Sequence, residues 1–157
     1  MADFDKQKII ALVLEELKKR KLELIKVAEG LSQSAKEAPK SMESWSDSSR
    51  VEFNLMGNQI RTELANLGKA ISFFEKFESN LNEIVQIGSL VGLVNNSEKK
   101  YFFLVPENSG GIKMGLYKQE IYTVSVESEL GKMLLGKRIG EGVILPNNKK
   151  FKIETIA

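Results

Sequence analysis

The sequence SQSAKEAPKSMESWSDSS, residues 32–49, separates two stretches of helical patterning and decides how the first half of the chain folds. It is rich in serine, contains Pro39, and has no apolar residue recurring at a helical or strand period. Because such a segment cannot bury a face of its own, it is predicted to form a loop near residues 32–49. The chain is expected to reverse direction there.

Apolar residues recur at steps of three and four on both sides of this loop, a pattern typical of a heptad seam. The pattern predicts a long antiparallel coiled-coil hairpin over residues 1–79, whose helices of about 30 residues would each extend on the order of 45 Å. A capping box, Ser49-Arg50-Val51-Glu52, is predicted to start the second helix. The predicted seam consists of Ile10, Leu14, Leu17, Leu24, Ala28 and Leu31 in the first helix and Phe53, Met56, Ile60, Leu67, Ile71 and Phe74 in the second.

Residues 80–157 change to short β-rich runs separated by asparagine- and glycine-containing turns. One short helix is predicted over residues 128–136, with Ser128 as its cap. The second half is therefore predicted to be a small, mostly antiparallel sheet with one helix, which makes the fold class α+β. Phe73, Phe74 and Phe77 are expected to pack against this sheet at the base of the hairpin. The predicted strands lie in IVQIGSLVGLV (84–94), KYFFLVP (100–106), EIYTVSV (120–126), GVILP (142–146) and FKIETI (151–156).

Composition excludes most familiar active sites. The 157 residues include no cysteine and no histidine, so disulfides, thiolate chemistry and the usual general base are absent. The 23 basic and 21 acidic residues nearly cancel, which gives no support to non-specific nucleic-acid or membrane binding. No apolar run approaches the ~20 residues that span a bilayer. Asp3 and Asp5 stand where a secretory signal would be basic, so we expect a cytoplasmic protein. We also expect the protein to have no cofactor of its own.

The most informative motif is SVESELGKMLLGKRIGEGVILPNNKKFKIETI, residues 125–156. It resembles the C-terminal domain of the GreA/GreB family of bacterial transcription elongation factors, with one departure at Glu129, where a proline is usual. The strands at residues 84–94 and 101–126 also look like those of that family. We take the matched residues as candidates for docking to a partner: Ser128, Leu130, Gly131, Leu134, Gly136, Lys137, Gly140 and Glu141.

The resemblance extends over nearly the whole chain, since that family also has an N-terminal coiled coil followed by a domain with the fold of FK506-binding proteins. It implies that residues 80–157 dock at the rim of the secondary channel of RNA polymerase while the coiled coil reaches down the channel. The chain would then be a monomeric regulator of transcription elongation and not an enzyme. Nucleic acid would be met only through the polymerase.

The tip of the coiled coil departs from the family. In cleavage-competent members, two tip acids help the polymerase hold a second Mg²⁺ and cut its own backtracked transcript. If Glu52-Phe53 matches the family's glutamate–aromatic step, the acid pair falls on Ser46 and Ser49. Asp47 and Glu43 could hold the shared Mg²⁺ instead, or Asp47 could simply favour a helix N-terminus while Glu43 is solvated. Weak or absent cleavage stimulation is therefore expected, and Trp45 is a further candidate for a partner contact at the tip.

Two other functions compete with this interpretation. A peptidyl-prolyl isomerase or chaperone would need an apolar pocket lined by aromatic side chains. A structural coiled-coil dimer would form if the seams paired between chains. The aromatic residues available to an isomerase pocket are Tyr101, Phe102, Phe103, Tyr117, Tyr122 and Phe151.

Overall fold

The computed structural model describes residues 4–37, 43–78 and 82–157, and within these ranges the side chains of residues 34–37, 43–50 and 53 are not described. Two long helices, α1 (Lys6–Glu37) and α2 (Glu43–Glu75), pack along each other as a hairpin. Near the base, the Lys18 ammonium lies 3.1 Å from the Glu75 carboxylate. In the described part of the chain, neither long helix is apolar enough to cross a lipid bilayer.

The loop predicted over residues 32–49 is too long. Helix α1 continues to Glu37 and α2 begins at Glu43, while residues 38–42 lie outside the described residues. Ser49 is therefore well inside α2 and does not cap its start. Serine lowers helix propensity by only about 0.5 kcal/mol per residue relative to alanine, so a serine-rich segment can still continue a helix, whereas proline interrupts one.

The second half of the chain forms a single six-stranded sheet with the order β3-β4-β2-β1-β6-β5. Strands β2 and β4 are parallel, and the other neighbouring pairs are antiparallel. The short helix α3 (Glu129–Leu134) follows β4, which confirms the predicted α+β architecture. The strands are β1 (Leu90–Val94), β2 (Lys99–Val105), β3 (Lys113–Leu116), β4 (Gln119–Ser125), β5 (Gly142–Ile144) and β6 (Lys150–Ile156).

Strand β3 was not among the five predicted runs. The reason is the turn that joins it to β4, because Tyr117 and Lys118 occupy this turn with φ of 53° and 61°. Such left-handed backbone is normally supplied by asparagine or glycine, so the sequence carries no turn signal here. The first predicted run was also too long, since β1 begins at Leu90 and Ile84 forms only an isolated bridge with Arg138.

Buried side chains form two clusters, one on each face of the sheet. The hairpin-side cluster joins the base of the hairpin to the sheet, so the predicted halves 1–79 and 80–157 share a core. The α3-side cluster lies beneath the short helix. The hairpin-side cluster contains Ile9, Val13, Leu17, Leu67, Ala70, Ile71, Phe74, Leu90, Tyr101, Phe103, Val105, Ile112, Met114 and Ile121. The α3-side cluster contains Val85, Val91, Leu93, Phe102, Leu104, Val124, Leu134, Val143, Leu145, Phe151 and Ile153.

The first turns of α1 bury a different stripe from the predicted one. Ile9 and Val13 are fully buried, whereas the predicted seam residues Ile10 and Leu14 are only partly buried. This stripe shifts because the base of α1 packs against the sheet as well as against α2. In α2 the predicted seam is confirmed by four buried residues but is wrong at Met56, which is 48% exposed. The four buried residues are Ile60, Leu67, Ile71 and Phe74.

The predicted phenylalanine plug at the base of the hairpin is confirmed for Phe74 and Phe77, whereas Phe73 is 36% exposed. The Phe74 ring is buried, and its centroid lies 5.8 Å from that of Phe103 in β2. Phe73 and Phe77 contact Phe74 on the hairpin side. The Phe77 ring occupies the space where Gly88, at φ +88°, would carry a Cβ, so this turn requires glycine.

Candidate functional site

The segment that carries the family resemblance begins with a capped helix. The Ser128 hydroxyl accepts a hydrogen bond from the Gly131 amide at 3.0 Å and donates one to the Ser125 carbonyl at 2.7 Å. These bonds satisfy a backbone donor at the start of α3 and confirm the predicted cap. Ser128 therefore has a structural task, and it is only partly exposed.

Three of the docking candidates contribute mainly to the interior. A Cβ at Gly131 would lie 2.0 Å from the Ser125 carbonyl oxygen, so only glycine fits between α3 and the preceding turn. Leu134 is fully buried in the α3-side cluster, and Leu130 packs against the same cluster while partly exposed. Their motif positions are explained by close packing of α3 on the sheet.

The remaining candidates shape the turn after α3. Gly136 and Gly140 have φ of +81° and +91°, which favours glycine at both positions. The Gly136 amide donates to the Val85 carbonyl at 2.9 Å, and the Lys137 carbonyl accepts from the Val85 amide at 2.9 Å. The exposed Glu141 carboxylate accepts a hydrogen bond from the Arg138 amide. These bonds hold the turn in a defined shape at the surface.

Two exposed apolar side chains, at the end of α3 and in the turn after it, were not among the docking candidates. Leu135 is 48% exposed and Ile139 is 59% exposed. The pair Leu134-Leu135 carried a usable signal, because a six-residue helix with one buried face cannot bury two consecutive leucines. An ordered turn presenting exposed apolar groups is suited to protein contact.

The hairpin is fastened to the sheet domain by polar contacts outside the core. The Arg20 guanidinium donates to the Gly110 carbonyl at 3.0 Å, in the loop between β2 and β3. The Lys8 ammonium donates to the Tyr117 hydroxyl at 3.1 Å, and this hydrogen bond raises the pKa of Lys8. Within the hairpin itself, burial lowers the pKa of Lys6, whose ammonium lies 5.3 Å from the Phe77 ring centroid. The base of the hairpin is therefore anchored at several points.

The tip candidates lie mostly outside the described side chains. Helix α2 includes Glu43, Trp45 and Asp47, but the structure describes only the backbone there. Glu43 and Asp47 are four residues apart in α2, a spacing that places two positions on the same helix face. Glu52 is exposed on α2.

Metal binding finds no support among the residues whose side chains are described. No group of three or more carboxylates in that part of the chain could hold a metal ion. The candidate ligands Glu43 and Asp47 fall outside it, because their side chains are not described.

The aromatic residues that an isomerase pocket would use are divided between the two sides of the sheet. Tyr101 and Phe103 are buried toward the hairpin, whereas Phe102 and Phe151 are buried toward α3. Tyr117 lies in the β3–β4 turn. In the described part of the chain, these side chains therefore do not converge on one apolar pocket of the kind that binds a proline-containing peptide.

Comparison with known proteins gave structural similarity only. No protein-family profile matches the sequence, and no curated protein matches it. The fold is similar to a crystal structure of the GreA factor homolog 1 (Gfh1) protein of Thermus thermophilus, with 21% sequence identity and a TM-score of 0.39 over 96% of this chain and 93% of that one. It is also similar to Thermus aquaticus Gfh1, with 21% identity and a TM-score of 0.39 over 96% and 92%. A structure described as the transcription factor Gfh1 gives 20% identity and a TM-score of 0.40 over 95% and 91%.

Proposed function

We propose that this protein is a Gre-like regulator that binds RNA polymerase at its secondary channel. The observation that carries the proposal is a long two-helix arm rooted at its base in a sheet domain, together with the Gre-like motif at residues 125–156. The same order of parts follows from the sequence resemblance. A cytoplasmic location in a bacterium belongs to this proposal.

The arm is long enough to extend well beyond the sheet domain. Helices of 32 and 33 residues are each about 48 Å long at 1.5 Å per residue. Packing against the hairpin-side cluster extends outward as far as Leu24 in α1. The 13 residues from Ile25 to Glu37 therefore project about 20 Å farther. An arm of this shape can reach a site that a globular domain cannot enter.

The turn after α3 is the proposed docking surface. Leu135 and Ile139 expose apolar groups beside backbone that Gly136, Gly140 and Glu141 hold in place. A rigid surface loses little conformational entropy on binding, so such exposed groups can contribute affinity. The polymerase would be held here while the arm enters the channel.

The tip does not fit the family's way of recruiting a second Mg²⁺. If Glu52-Phe53 matches the family's glutamate–aromatic step, the acid pair falls on Ser46 and Ser49, whose neutral hydroxyls do not replace carboxylate ligands. We therefore assign no cleavage step to this chain. It acts as an accessory factor, and any transcript cleavage belongs to the polymerase.

Binding of the full-length chain to purified core RNA polymerase tests the docking surface. Placing a charge on it, as Leu135→Glu with Ile139→Glu, should weaken binding at least about tenfold, because the exposed apolar anchors would be lost. Ile144→Glu is the control, since it adds a charge at an apolar position of β5 that is 50% exposed and lies outside the proposed docking turn. Equal binding by the parent and the double variant would show that the docking surface lies elsewhere. If the parent does not bind the polymerase, the proposed function is wrong.

A further inference from the structure

One side of the hairpin contains a continuous groove that reaches Leu135 of the proposed docking surface. One cavity of about 920 Å³ lies between α1 and α2 and is lined by α1 from Lys18 to Ile25 and by α2 from Ala65 to Glu75. A second, of about 820 Å³, continues past Phe73 to Leu135. Both are lined by Lys69 and Ser72, so the two cavities meet and form one surface, which we call the outer groove.

The floor of the outer groove is formed by small residues of α2. Ala65, Gly68 and Ser72 follow one another along α2 at steps of three and four residues, which places them on one helix face. A Cβ added at Gly68 would meet no atom within 4 Å. Two further apolar lining residues, Leu22 in the first cavity and Leu135 in the second, are 61% and 48% exposed. The groove therefore offers apolar surface and room for a closely approaching backbone.

The rim of the outer groove is basic. Lys18 is paired with Glu75, but Lys21, Lys69 and Lys76 form no salt bridge with another described residue. The lining contains one further acid, Glu78. An occupant with acidic side chains beside an apolar face would complement this arrangement.

We propose that the outer groove binds an amphipathic helix of a partner protein, with its apolar face in the groove and acidic side chains toward Lys21, Lys69 and Lys76. The lining of α2 from Ala65 to Glu75 spans 10 residue steps, or about 15 Å, which matches nearly three turns of helix. Helix-in-groove binding uses apolar anchors at this spacing. The proposal rests on the groove alone and does not depend on polymerase binding.

Other classes of occupant fit the same surface less well. A lipid bilayer is flat, so it would not reach the floor between two helices. The phosphates of a nucleic acid would pair with the lysines but would make no apolar contact with Leu22, Phe73 and Leu135. A helix uses both the concave floor and the charged rim.

Synthetic peptides of 14 residues test the proposal with the full-length protein. The acidic probe carries leucine at positions i, i+3, i+4 and i+7 flanked by glutamates, and the control probe replaces each glutamate with lysine. By fluorescence anisotropy, the acidic probe should bind at least about tenfold more tightly than the lysine probe. Its affinity should fall as salt is raised, because the rim charges are partly exposed.

Two variants test whether the acidic probe binds in the outer groove. Gly68→Leu should fill the floor and weaken binding of the acidic probe about tenfold or more, while circular dichroism shows an intact helix because leucine favours helix over glycine. Gly57→Leu is the matched control, since it is also a glycine in α2 with no atom within 4 Å of an added Cβ and lies outside the groove. It should leave binding unchanged.

Several outcomes would overturn the proposal. Equal binding of the two probes would show that the basic rim does not select an acidic partner. Equal effects of Gly68→Leu and Gly57→Leu would show that the probe does not bind in the outer groove. A dimer that dissociates on Gly68→Leu in sedimentation would make a second copy of this chain the occupant. Binding to vesicles of anionic phospholipid that Gly68→Leu abolishes, without binding of the acidic probe, would assign the surface to membranes.

Discussion

At the scale of single residues, the turn between β3 and β4 departs most from local preference. Tyr117 and Lys118 both have left-handed backbone, which costs a non-glycine residue on the order of 1–3 kcal/mol. The Tyr117 ring is held by contacts from the N-terminal part of the chain, because its centroid lies 6.2 Å from that of Phe4 and its hydroxyl accepts from Lys8. The tertiary contacts of Tyr117 therefore stabilise a turn that the sequence does not favour.

Lys118 offers a direct measurement of this strain. Lys118→Gly should raise the free energy of unfolding by about 1 kcal/mol, because glycine adopts φ near +61° without a Cβ clash. Chemical denaturation of the parent and the variant measures the difference. Lys150→Gly, at an exposed position in β6, is the control and should lower the free energy of unfolding. A loss of stability in Lys118→Gly would show that the turn is not strained at this residue.

At the residue scale, Glu98 makes a pH-dependent contribution to the free energy of unfolding. The Lys149 ammonium lies 2.7 Å from the Glu98 carboxylate, and this hydrogen bond lowers the pKa of Glu98 below its usual value. A carboxyl whose pKa is lower in the folded state stabilises the fold above the unfolded pKa of about 4.3 and loses that effect as the pH falls through the folded pKa. The contribution is therefore present at neutral pH and lost in acid.

Glu98→Gln should therefore lower the melting temperature slightly at pH 7, and this difference should shrink as the pH falls below about 4.3 and vanish only below the lowered pKa of folded Glu98. Thermal unfolding of parent and variant across this range measures the difference. Glu107→Gln is the control, because Glu107 is exposed and forms no salt bridge with another described residue. A difference between parent and Glu98→Gln that stays constant with pH would remove the ion-pair explanation.

At the scale of elements, periodicity predicted the existence and type of nearly every helix and strand but not what each face contacts. The heptad pattern identified Leu17 and Ile60 as buried, since these positions face the other helix. It missed Ile9 and Val13 because their burial depends on the sheet, which follows about 80 residues later. Local pattern cannot reveal a partner that is distant in sequence, and turn rules based on glycine and asparagine could not find the turn at Tyr117.

The two helices of the arm should respond differently to truncation of seam residues. Ile60→Ala should cost about 2–5 kcal/mol, because Ile60 is only 8% exposed. Leu24→Ala should cost less than Ile60→Ala, since Leu24 is partly exposed at the margin of the hairpin-side cluster. Denaturant unfolding of both variants tests the order. A cost for Leu24→Ala equal to or above that for Ile60→Ala would show that the seam is tightest at Leu24.

At the scale of the whole molecule, the shared core decides how the arm can be used. Phe74 and Leu17 from the hairpin pack with Phe103 from the sheet, so the base of the arm and the sheet domain are one packed unit. The Arg20 contact to Gly110 adds a polar link farther along α1. The candidate docking residues could be predicted from motif resemblance, but their division into core, cap and surface could not, because burial depends on how α3 sits on the sheet.

A channel-inserted arm without the matched acid pair should occupy the polymerase without activating cleavage. Mg²⁺ keeps several waters and takes its remaining ligands from hard oxygens, usually one or two carboxylates. Ser46 and Ser49 supply none at the matched positions. The pure protein should therefore compete with a cleavage-competent Gre factor for core polymerase and stimulate cleavage of a backtracked transcript feebly or not at all.

Asp47→Asn separates this expectation from its alternative. With no metal role for Asp47, the variant should bind polymerase and compete as the parent does, since it removes a single charge in the second turn of α2. Cleavage assays on a stalled, backtracked complex measure both properties, and Glu43→Gln is the companion variant four residues away on the same helix face. Rapid cleavage by the parent that Asp47→Asn abolishes, with binding unchanged, would identify Asp47 as the metal-holding acid and show that the tip was aligned incorrectly.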